Sequence, residues 1–199
     1  MNKIAVAVLA TAVAGSFLLA PAGRAEQKFV IKPVAEKRLR ELPAGPWYWR
    51  IENFPTLAQA QAAGEPASLA AEVAGKVWLF TLGPAGGATP GASRVAEVGP
   101  VPRISAPEYL LRINNTGGAP GVKTKAHSHP GSETFYVLSG RLGQKTPHGV
   151  AHVEAGQFML GRGADTPMEV FSSGTTELNA LVMFVVDAAR PFSSPAKLP

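Results

Sequence analysis

Glycine and proline punctuate this chain at short intervals. The sequence holds 21 glycines and 18 prolines among 199 residues, which leaves little room for a helical bundle or a coiled coil. Between the breaks lie short apolar runs rich in strand formers. Thr134 to Leu138, Val150 to Val153, Gln157 to Leu160, Met168 to Phe171 and Leu178 to Val186 all read as strands. Many short strands separated by turn signals predict an all-β sandwich or barrel. An apolar content of 46% with 17% charged residues excludes a disordered chain.

The first half carries fewer clear signals. Trp47 to Glu52 alternates and predicts a strand, and Thr56 is placed to cap a short helix over Leu57 to Ala63, closed by Gly64 and Pro66. Ser68 to Leu82 follows, with a buried strand over Val77 to Leu82 and a hairpin turn at Gly75-Lys76. Pro84 to Gly91 is a Gly/Pro loop that lacks the pattern of a phosphate cradle. Ser93 to Val98 and Glu108 to Ile113 read as strands, Asn114 to Gly118 as a turn, and residues 26–46 show no clean period.

Residues 1–25 read as a secretory signal peptide. Lys3 precedes an uncharged stretch from Ile4 to Ala22, and the small residues around Ala22 to Ala25 supply a cleavage site. The mature protein is therefore expected in the periplasm or outside the cell, with no membrane association after cleavage. Removal of Lys3 and Arg24 lowers the net charge from +5 to +3. That mild excess, with no aromatic residues interleaved in a basic stripe, gives no reason to expect a nucleic-acid partner. The expected organisation is an N-terminal extension over 26–100, a barrel over 101–189 and an irregular tail over 190–199.

The chemistry concentrates in one segment, Gly121 to Gly140. His127 and His129 are two apart, so on a strand both imidazoles point to one face. Pro130-Gly131 turns the chain, and Glu133 can return a carboxylate to the same place. Two imidazoles and a carboxylate suit a borderline divalent ion. Phe135 and Val137 share the parity of Glu133 and are expected to line the same pocket, with Tyr136 pointing outward. His148 sits at a hairpin tip, and Val153 is a better inward residue than its neighbour His152. With no cysteine in the sequence, disulfides, thiolate metal sites and a thiol nucleophile are excluded.

In this segment the sequence resembles the cupin superfamily, whose first motif is G-x5-H-x-H-x3-E-x6-G. Gly121, His127, His129, Glu133 and Gly140 match every position. The resemblance implies a cupin-type jelly-roll β-barrel, here with an N-terminal extension of strands and one short helix. It also implies a divalent transition metal on His127, His129 and Glu133, iron or manganese ahead of zinc, nickel or copper. The second cupin motif starts at Gly156, but Pro167 stands where its histidine ligand belongs. Glu169 is one candidate for a fourth metal ligand. Met168 is a weaker one, and water in an open position is the third.

Two functions follow from the resemblance. One is a metal-dependent, dioxygenase-like enzyme acting on a small organic molecule, with Glu133 as ligand or catalytic base. The other is a non-catalytic protein that binds a small ligand or a metal. Either is compatible with a homodimer formed through edge strands.

Overall fold

The computed structural model describes residues 27–199, so residues 1–25, read from the sequence as a signal peptide, lie outside the described residues. The chain starts with strand β1 (Val30–Leu39), followed by β2 (Trp47–Phe54), helix α1 (Leu57–Ala63), β3 (Ser68–Val73), β4 (Lys76–Gly83) and β5 (Ser93–Val101). The second half runs β6 (Tyr109–Gly118), β7 (His127–Ser128), β8 (Gly131–Ser139), β9 (Arg141–Thr146), β10 (Gly149–Glu154), β11 (Phe158–Leu160), β12 (Glu169–Ser172), β13 (Leu178–Asp187) and β14 (Ser194–Pro195). The fold is mostly β, as the sequence predicts.

A five-stranded sheet, ordered β1-β6-β13-β8-β11, forms the middle of the molecule. Its strands alternate between two cores. Leu111, Ile113, Leu181, Met183 and Val185 pack against Trp47, Trp49, Ile51, Trp78 and Phe80 of the sheet β3-β4-β2-β5. Their neighbours Leu110, Val182, Phe184, Phe135 and Val137 face the other way, toward Leu142, Val153 and Val170 of the sheet β10-β9-β12. Each such fully buried apolar side chain contributes roughly 1.5–3 kcal/mol. Burial on both faces explains why β13 reads as an unbroken apolar run.

The second and third layers enclose a cavity but do not close into a barrel. The five-stranded and three-stranded sheets share no continuous ladder among the described residues. The segment before β8 extends the three-stranded sheet instead: Thr124 donates to Val170, and His127 and Met168 exchange backbone bonds at 2.9 and 2.7 Å. The architecture is thus an open jelly-roll pair with a third sheet on its back.

Several local expectations hold. Thr56 caps α1, its Oγ1 accepting from the Gln59 N–H at 3.2 Å, and Gly64 ends the helix. Seven residues are too few for a stable isolated helix; buried Ala60 packs α1 against Phe54 and Leu79. The β3–β4 hairpin turns at Ala74-Gly75, both with positive φ (52° and 70°), one residue before the expected position. The Pro84–Gly91 loop is pinned over the outer face of its sheet, where Glu52 accepts from Thr89 Oγ1 at 2.6 Å and from Arg50 Nε at 3.1 Å.

Two expectations need correction. Asn114 to Gly118 is the second half of β6, paired with both β1 and β13. Its turn-forming residues serve the sheet: Asn115 Nδ2 donates to Asn179 Oδ1 at 2.5 Å, and Gly117 lets Leu178 approach where a Cβ would clash. Residues 30–39, which show no period in the sequence, form the edge strand β1, whose register shifts between Pro33 and Ala35. An exposed edge with a bulge loses the alternation that reveals a strand.

Candidate functional site

The three first-motif side chains line one cavity of about 450 Å³ between the five-stranded sheet and the β12 side. Its walls are mainly apolar, with Phe135, Phe184, Phe192, Val170 and Val182 prominent. His127 sits on β7, His129 one residue past its end, and their ring centres are 5.0 Å apart at 85°. The His127 Nδ1–H donates to the Lys125 carbonyl at 2.8 Å, and the His129 Nδ1–H to the Phe192 carbonyl at 2.6 Å. This assignment follows from the acceptors, since a carbonyl takes only a donated proton. In a neutral ring so anchored Nε2 keeps the lone pair, the state an imidazole needs to hold a metal.

Glu133 is buried at the second residue beyond the Gly131 start of β8, with Gln144 of β9 donating to its Oε1 at 2.5 Å. Burial pushes this carboxyl up to about 8, against the lowering effect of the Gln144 hydrogen bond. Burial likewise holds the His129 imidazole down at about 4, opposed by its bond to Phe192 and assisted by His127 and Arg112. The segment of the second motif backs directly onto the first. Gly161 donates to the Glu133 carbonyl at 2.9 Å and Asp165 to that of His129 at 2.8 Å.

The expected fourth ligand, Glu169, does not reach the cavity. It lies on the outer side of β12, where Lys123 pairs with it at 3.1 Å. The inward residues of that segment are Met168 and Val170, one step out of register with the count from Gly156. Met168 Sδ is 3.5 Å from Gln144 Nε2, so a thioether and a carboxamide pack together beside Glu133. Phe135 lines the cavity as expected, and Tyr136 faces the other core beside Trp78. His148 and His152 are exposed, while Val153 is buried.

The C-terminal tail belongs to the site, which nothing in its own sequence signals. Phe192 packs its ring 4.8 Å from His129 and 5.0 Å from Phe184, and the Arg112 guanidinium lies 4.1 Å from its centre. β14 pairs with β7, and Arg190 grips Asp165 with two bonds of 3.0 and 2.6 Å. The tail therefore walls the cavity and orients His129.

The donor chemistry fits a borderline divalent ion: two imidazole nitrogens and a buried carboxyl group that has no ion-pair partner among the described residues. As placed, no three His, Asp or Glu side chains among the described residues gather closely enough to share one ion. Gln144 holds Glu133 Oε1, so joint coordination requires the Glu133 side chain to shift toward the histidines.

No family model matches the chain, and no curated protein matches its sequence. Solved structures similar to it include cupin and double-stranded β-helix proteins. A cupin-like protein from Thermotoga maritima is 15% identical over 44% of this chain and 65% of its own, with a TM-score of 0.40. A protein with a double-stranded β-helix domain from Klebsiella pneumoniae is 22% identical over 44% and 75%, with a TM-score of 0.38. A DMSP lyase from Ruegeria pomeroyi is 17% identical over 43% of each chain, also with a TM-score of 0.38. The chain thus spans less than half the length of the lyases it matches. The resemblance to cupins rests on the first motif, whose His127, His129 and Glu133 line the cavity.

Proposed function

We propose that this is a periplasmic or secreted metal-binding protein of cupin type that takes a small organic molecule in the cavity beside the metal. The ligands are His127, His129 and Glu133, and the ion is iron or manganese ahead of zinc, nickel or copper. The observation that carries this reading is the fixed tautomer of both histidines, each anchored through Nδ1 to a backbone carbonyl on the wall of one cavity. When bound, the ion supplies a Lewis acid or a redox centre. The apolar walls exclude water from it, and Phe192 keeps the His129 ring in place. Dioxygenase-like oxidation is the activity this reading extends to. Released from the ion, the Glu133 carboxyl, raised to about 8 by burial, is matched to proton transfer at neutral pH.

The test is metal analysis of untagged protein, as purified and after reconstitution. Near-stoichiometric iron or manganese that disappears in His127→Ala and Glu133→Ala supports the proposal. Failure to take up iron, manganese, nickel, copper or zinc overturns it. The burial of Glu133, which raises its carboxyl to about 8, favours a second reading, in which the carboxyl stays protonated and the cavity binds its ligand without turnover. Oxygen uptake with phenols, flavonoids and diketones separates the two.

A further inference from the structure

We infer that residues 190–199 form a hinged strap that swings away from the cavity to admit a small molecule and, on closing, fixes the His129 ring. The inference deepens the proposed function and rests on it only in taking this cavity as the ligand's seat.

The strap has a firm hinge and a light hold. Up to Ala188 the chain is tied to the body: Asp187 donates to the Pro130 carbonyl at 3.1 Å and Ala188 to that of Glu108 at 2.9 Å. Arg190 then turns back onto the Asp187 carbonyl at 3.3 Å, and Pro191 follows. Beyond this turn the backbone ladder is the two-residue β14 and the Ala196 bond to Ala126 at 3.1 Å. Pro195 has no N–H to add to it. The remaining holds lie at the surface. Arg190 and Asp165 are each about half exposed, and Lys145 Nζ reaches the Pro199 carbonyl at 3.3 Å. No strap residue is fully buried; Phe192, Ala196 and Leu198 are half-buried and the rest exposed. The cavity floor, by contrast, is a continuous ladder through β6, β13 and β8, and the opposite wall is paired through His127 with Met168 and Thr124 with Val170. A segment with few buried apolar contacts and exposed hydrogen bonds opens at lower free energy than the ladders around it.

What the strap covers makes its opening consequential. Phe192 and Ser193 line the cavity, the Phe192 ring sits against His129 and Phe184, and its carbonyl takes the His129 Nδ1–H. Peeling the strap away from Arg190 onward widens the cavity and frees the His129 ring in one motion. Asp165 joins both parts of the device: its N–H holds the His129 carbonyl while its carboxylate grips Arg190. It does so from the left-handed region, at φ 58°, which aspartate tolerates better than most residues. Closing therefore sets the backbone and the ring of His129 together.

The first test is native-state hydrogen exchange of the full mature chain in EDTA. After correction for intrinsic rates, the Ala196 N–H is expected to exchange at least about a hundredfold faster than the Met168 N–H on the other side of β7. Equal protection of the two overturns the inference. The second test uses the absence of native cysteines. Ser128 and Ser194 stand opposite each other across β7 and β14, within disulfide reach, so Ser128→Cys with Ser194→Cys locks the strap when oxidised. Locking is expected to slow diethyl pyrocarbonate labelling of His129 at least about tenfold, and reduction to restore it. Equal rates in the locked and reduced forms overturn the inference. If the pair does not form, Arg190→Gln decides: labelling about two- to fivefold faster supports the strap, and an unchanged rate overturns it. Because the ion is stripped throughout, these readouts stand or fall separately from the metal reading.

Discussion

Gln144 on β9 donates to Glu133 on β8 across 2.5 Å, tying the two cavity-forming sheets together through a buried carboxyl. Around it the two sheets pack through apolar side chains such as Phe135, Val137, Leu142 and Val153. The bond also opposes the upward push of burial on the Glu133 carboxyl.

Gln144→Leu therefore leaves a buried carboxyl without its donor and raises its affinity for a proton further. A loss of about 1–3 kcal/mol in urea denaturation at neutral pH is expected. Unchanged or increased stability would show that the bond contributes nothing to the fold.

The metal-free protein is expected to be most stable over a plateau between about pH 4.5 and 6.5. Glu133 titrates near 8 when folded, above its ordinary 4.5, so ionisation costs stability as pH rises toward 8. His129 titrates near 4 when folded, below its ordinary 6.5, so stability is lost as pH falls through that range. Between 4.5 and 6.5 the two slopes cancel. Melting curves of Glu133→Gln check the assignment, because the decline from pH 6.5 to 8 should flatten in that variant.

The tail contacts predict an effect at a distance. Phe192→Ala removes the ring that shields His129 while leaving the backbone carbonyl that anchors it. The His129 titration is expected to rise from about 4 toward 6.5, as read by NMR. Asp165→Ala, which frees Arg190, should shift it in the same direction by less. A titration that stays near 4 in both would mean that the tail plays no part in the site.

Gly161 tests the packing of the second motif against the first. A Cβ there would lie 2.6 Å from Glu133 Cγ and 2.9 Å from its carbonyl oxygen. Gly161→Ala is expected to cost about 1–3 kcal/mol and to reduce metal uptake by displacing Glu133. Full uptake with native stability would show that the segment yields freely.

What the sequence revealed and concealed has a physical pattern. The helix α1 was legible from Thr56 and Gly64, and β13 from its apolar run, because caps and double burial act locally. That His127, His129 and Glu133 face one cavity was legible from their spacing. Glu169 was misplaced because a loop offset of one residue exchanges the two faces of a strand. Gln144 and Phe192 were invisible, since their roles come from pairing across sheets and from a tail folding back over 60 residues of chain. The place of Asn114 within β6 was concealed by the turn preference of its type.

The middle sheet shows no face to solvent over most of β6, β8 and β13. Even-numbered positions from Arg112 to Thr116 on β6 line the cavity, and odd ones such as Leu111 and Ile113 face the tryptophan-rich core. One face can therefore be rewritten for a new ligand while the other preserves the scaffold. The same arrangement makes these strands intolerant of insertion, because a single added residue would turn a binding surface into filling and filling into a binding surface.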